Sequence, residues 1–63
     1  MNRKEIYKYI MDNGKVSDNV IARDISAKHP EYDTKGELAF LVDNGYIIHE
    51  HGLFRINPNK RFE

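Results

Sequence analysis

The stretch Thr34–Ile56, TKGELAFLVDNGYIIHEHGLFRI, decides the fold. Thr34 followed by Glu37 reads as a capping box, in which the hydroxyl accepts an amide of the first turn and the carboxylate reaches back. A helix is therefore expected to start there. At about 100° per residue, Leu38, Leu41 and Val42 share one side, Ala39 flanks them, and Phe40 projects away from their centre. Asn44 and Gly45 close the helix. Two strands follow, about Tyr46–Glu50 and Leu53–Asn57, with Gly52 in the turn. A two-residue His51-Gly52 turn pairs Ile47 with Ile56 and His49 with Phe54. A three-residue turn instead pairs Ile48 with Phe54 and Tyr46 with Ile56. The first is preferred because Ile47, Phe54 and Ile56 then share the core face.

Towards the N-terminus, a first helix is expected from about Asn2 to Asn13, with Ile6, Tyr7, Ile10 and Met11 inward and Glu5, Lys8 and Asp12 outward. Gly14 fits the left-handed position just past a helix end. Lys15 and Val16 read as a short extended link. Ser17 is a natural N-cap, and Asp18 suits the positive end of the helix dipole. The second helix should run from Asp18 to about Lys28 over a buried stripe of Ile21, Ala22 and Ile25. Pro30 disfavours helix at His29. Residues 1–57 form the expected domain, and the tail 58–63 is expected to be flexible.

Three helices and a hairpin resemble a winged helix-turn-helix domain, an α+β, mostly helical fold with a two-stranded β-hairpin wing. The resemblance rests on an apolar pair seven and four positions before a glycine and an apolar residue two after it. Here these are Leu38, Leu41, Gly45 and Ile47, and Ile21-Ala22 is similar to the Leu-Ala of many such second helices. It covers about Arg3 to Asn57. It implies duplex DNA as partner, with the outer face of helix three in the major groove and the wing on the backbone. By position, Tyr32, Thr34, Lys35, Gly36, Ala39, Phe40 and Asp43 would face the groove, and the wing would bring His49, His51 and Arg55. Lys15 and Arg23 are weaker phosphate candidates. The Z-DNA-binding branch is set aside, because its Asn and Tyr positions hold Lys35 and Ala39 and the chain lacks Trp.

Composition pulls the other way. Ten Lys plus Arg balance ten Asp plus Glu, whereas phosphate neutralisation supplies most non-specific DNA affinity. DNA binding then requires segregated charge. Arg3, Lys4 and Lys8 with Lys60 and Arg61 would form such a patch if both ends lay near the wing. In a chain with 32% charged residues, a solvated surface explains the same residues. An outward Phe40 is either a contact anchor or packs beneath His29–Asp33 against Tyr32. The rival partner is therefore a protein, docked on Gly36, Ala39, Phe40 and Asp43, with a second copy of the chain among the candidates.

The remaining classes have less behind them. With no Cys there is no disulfide framework and no thiolate metal site. His49 and His51 supply two ligands where zinc needs three or four; partial titration near neutral pH suits free histidines better. No nucleophile motif or glycine-rich phosphate loop is present, and a domain this small rarely forms a substrate pocket. The expectation is a non-enzymatic protein without cofactor, metal or small-molecule substrate. The N-terminus has no continuous apolar run for a secretory leader, and no segment nears the roughly 20 apolar residues of a membrane span, so a cytoplasmic location is expected.

Overall fold

The computed structural model describes residues 1–63. It is α+β, with helix α1 (Arg3–Asn13), strand β1 (Lys15–Ser17), helix α2 (Asp18–Ile21) continuing as a π-helical stretch over Ala22–Ser26, helix α3 (Thr34–Asp43), and strands β2 (Ile47–Glu50) and β3 (Leu53–Ile56). The strands form one antiparallel sheet in the order β1-β3-β2.

The sheet corrects the expected two-stranded hairpin. Gly14, at φ 76°, turns the chain out of α1, and the segment read as a link pairs with β3 along Lys15–Arg55, Val16–Phe54 and Ser17–Leu53. Val16 supplies the reason. Its β-branched side chain is buried and suits a pleated surface. On the other edge Ile47 opposes Ile56 and His49 opposes Phe54. That is the register of the two-residue turn, and His51 (φ 53°) with Gly52 (φ 71°) supplies the paired positive φ it needs.

Ile6, Tyr7 and Ile10 of α1, Val16, Ile21 and Ile25 of the second helix, Leu38 and Leu41 of α3, and Ile47 and Phe54 of the sheet make up the core. Val42 and Ile56 pack against this core only partly buried, and two expected core members are exposed: Met11 is 39% exposed, and Ala22 is exposed. Both sit at the margins of their apolar stripes, where about 60–100° of rotation carries a side chain into solvent.

The start of α3 also differs from expectation. Asp33, not Thr34, caps it by accepting the Gly36 amide at 3.1 Å. Thr34 becomes the first helical residue and is buried, with its hydroxyl unpartnered. Glu37 turns away from the cap to Arg3.

The tail expected to be flexible packs back on the body. Phe62 lies tilted against Tyr7 at 5.6 Å and edge-on to Tyr46 at 5.0 Å. Asn57 Nδ2 donates to Gly45 O at 2.7 Å, and Lys60 Nζ stands over Tyr46. Three aromatic rings sharing one contact outweigh the absence of regular structure.

Candidate functional site

A cleft of about 630 Å³ opens between the second helix, α3 and the sheet. Its floor is apolar: Ile21, Leu38, Val42 and Phe54. Ala22 and Ala39 face each other across its walls, and both are exposed. Because neither has a side chain beyond Cβ, nothing fills the space between the two helices. The rim is charged in a polar order that follows from the chain path. The connection from Ser26 to Thr34 closes one end, where Lys35 stands. The other end lies at the hairpin and holds Asp18, His49 and Asp43. The α3 dipole runs the same way, positive at Lys35 and negative at Asp43.

The residues assigned to one contact surface from the sequence divide three ways. Lys35, Ala39, Asp43 and His49 do meet, at this cleft. Thr34 also borders it, but its hydroxyl is sealed from solvent and cannot reach a base edge or a phosphate. Phe40 lies on the opposite flank of α3. The guanidinium of Arg3 covers it, with Cζ 3.6 Å from the ring centroid, while the same guanidinium is held by two bonds to Glu37. The Glu37 hydrogen bond raises the Arg3 pKa, so this cover stays charged. Gly36 belongs to that capped first turn: a Cβ there would stand 2.2 Å from the Asp33 carboxylate.

The hairpin does not present a free basic wing. His49 faces the core side, stacked on Phe54 at 4.0 Å and 9°, with Nε2 bonded to Asp18 Oδ1 at 2.9 Å. His51 sits in the turn, away from His49. Arg55 lies on the central strand, and its Nε donates to Glu50 Oε1 at 3.2 Å. Arg23 is bonded to Asp24, which holds that carboxyl below its usual range. No three of His, Asp and Glu converge as a metal would require.

Three further unpaired cations gather elsewhere. Lys4, Lys8 and Arg61 surround a hollow of about 220 Å³ with Tyr7, Met11, Asp12 and Phe62, and none of the three has an acidic partner. Phe62 joins the C-terminal tail to the first helix at Tyr7. The sequence reading missed the α2 wall of the cleft: Asp18, Asn19, Ala22 and Ser26. A signal existed in the i, i+3, i+7 spacing of Asn19, Ala22 and Ser26, which marks one small, polar helix face.

The molecule is thus a small α+β domain carrying an open apolar cleft with charged ends. Comparison of the chain with protein-family models, curated proteins and solved structures finds no match. No helix is long and apolar enough to cross a membrane.

Proposed function

We propose that the chain is a winged-helix protein used as a protein-interaction module, an adapter or inhibitor, and that its α2–α3 cleft takes an amphipathic segment of a protein partner. The order of three helices followed by a hairpin supports the winged-helix assignment. One observation carries the functional reading. The surface that would enter a DNA groove is instead a concave apolar floor between two alanines, flanked by Asp18 and Asp43. Helix-in-groove recognition uses such a floor. Two carboxylates beside it would repel a phosphate backbone, and Lys35 is the only cation on the rim. The DNA reading retains one support, the unpaired Lys4, Lys8 and Arg61, which would bind the backbone from α1 and not from α3.

The test is amide chemical-shift mapping with two probes, a random duplex DNA and an amphipathic helical peptide selected by display on the protein. The peptide should move Ile21, Ala22, Leu38, Ala39 and Val42, and Ala39→Arg should abolish that response. Salt-sensitive shifts at Lys35, Ala39 and Asp43 on adding DNA would overturn the reading in favour of groove recognition.

A further inference from the structure

The exposed face of α1 carries Lys4, Lys8 and Asp12 at i, i+4 and i+8, with Met11 beside them. Within 100° of arc these four side chains make one stripe. The cleft face of α3 carries Lys35, Ala39 and Asp43, also at i, i+4 and i+8. The end charges of each stripe are about 12 Å apart along the axis, and their order is the same, positive first on each helix and negative last, so the two stripes complement each other when antiparallel. Laid antiparallel, Lys4 meets Asp43, Asp12 meets Lys35, and the long Lys8 side chain passes over Ala39 towards Asp18. Met11 then falls on the apolar floor. It is one of only two large hydrophobic residues left exposed, the other being Met1.

We propose that the cleft of one copy takes the Lys4–Asp12 face of α1 from a second copy, an inference that rests on the cleft being a docking site. Two features favour this occupant. Its charges complement both ends of the cleft. It is also already a folded helix, capped at Asn2 by a full capping box, so docking incurs little ordering entropy. The hollow with Arg61 borders the same stripe and adds a cation beside it. The small set of buried side chains in a 63-residue chain gives such burial further weight. The contact joins two different surfaces and is therefore heterologous: each docked copy leaves one cleft and one α1 face free, so assembly continues into chains or closes as a ring.

Sedimentation velocity of the full chain from micromolar to millimolar concentration tests this. The average mass should rise past that of a dimer, and added salt should lower it, because the end contacts are exposed ion pairs. Two variants then dissect the contact. Ala39→Arg fills the cleft and sets a cation against Lys8. Lys4→Ser with Lys8→Ser and Met11→Ser strips the α1 face. Each alone should weaken association about tenfold or more, with the circular dichroism of the native chain retained. Mixed, they should form a one-to-one dimer and stop there, since one intact cleft meets one intact face. If Ala39→Arg fails to fold, Asp43→Ser replaces it. A wild-type chain that stays monomeric at millimolar concentration, or a mixture that forms no dimer, overturns the proposal. Display peptides that still occupy the cleft of such a monomer would leave the docking reading standing.

Discussion

The two flanks of α3 are built from the same ten residues and behave oppositely. On one flank Phe40 and Glu37 lie under a single long side chain, Arg3, reaching across from α1. On the other, Lys35, Ala39, Val42 and Asp43 border open space. The flank with the aromatic is covered, and the flank with the alanine is free. A large side chain recruits neighbours onto itself, whereas a small one leaves a hollow that the molecule's own residues cannot fill. Contact potential on this helix therefore follows the space around a residue and not its size.

The largest effect expected from breaking this contrast is Phe40→Ala. Full burial of Phe is worth about 3–5 kcal/mol on truncation; Phe40 is half-buried, so about 2 kcal/mol of stability should go. Urea unfolding measures it. Cleft occupancy by peptide should be unchanged in the fraction still folded. A fully stable variant that fails to bind would return Phe40 to the contact surface. Arg3→Met tests the cover itself. It should cost less alone than Phe40→Ala, and the two losses should be less than additive, since each removes the same stacked contact.

How far the sequence carried depends on the range of the interactions involved. The first and third helices, the Gly45 stop and the hairpin register were legible because each is set within a few residues: the periodicity of Leu38 and Leu41, or two positive-φ positions at His51 and Gly52. The second helix was legible only at its start, since it turns π-helical at Ala22 and ends at Ser26 and not near Lys28. The third strand was not, because Lys15–Ser17 acquires its partner nearly forty residues later. The same holds for the site. Arg3 reaches Glu37 across 34 positions, and His49 reaches Asp18 across 31. The first covers Phe40 and takes it off the expected contact surface, the second ties His49 down at the cleft rim, and neither leaves a local trace. Thr34 failed for a different reason: Asp33 is an equally good N-cap one residue earlier, and burial of Thr34 beside Leu38 decided between them.

Thr34 sits where the two flanks begin, and its replacement should have the opposite sign. A sealed hydroxyl without a partner forfeits about 1 kcal/mol or more of desolvation. Thr34→Val keeps the shape and removes the group, so thermal unfolding should show a gain of about 1 kcal/mol. A loss would mean that the hydroxyl has a partner in solution and that this end of the cleft is wetter than its geometry.

The covered flank should also respond to alkali. Tyr32 is held neutral by burial first and by Glu37 second, which raises its pKa above 10.0. Burial, then Asp24, does the same for Tyr9. In the unfolded chain both ionise near their ordinary pKa of about 10, so the folded form binds these protons more tightly. Their contribution is complete below pH 10 and is lost as pH rises through the folded values. Phenolate absorbance should show Tyr32 and Tyr9 titrating late and together with unfolding. An unshifted titration of Tyr32 would mean that the covered flank opens readily.

The smallest effect is expected at Gly36, where two terms nearly cancel. A Cβ there displaces the Asp33 carboxylate, and losing an N-cap costs about 1 kcal/mol. Alanine in place of glycine in a helix returns about 1 kcal/mol. Gly36→Ala should therefore leave stability nearly unchanged, while Asp33→Ala alone should lose about 1 kcal/mol. In the Asp33→Ala background the cap is already gone, so Gly36→Ala should recover most of that loss. The double variant separates the capping account from a contact account. If Gly36 instead serves close approach of a partner's backbone, Gly36→Ala weakens docking at constant stability. That result would move the docking surface from the open flank towards the capped first turn.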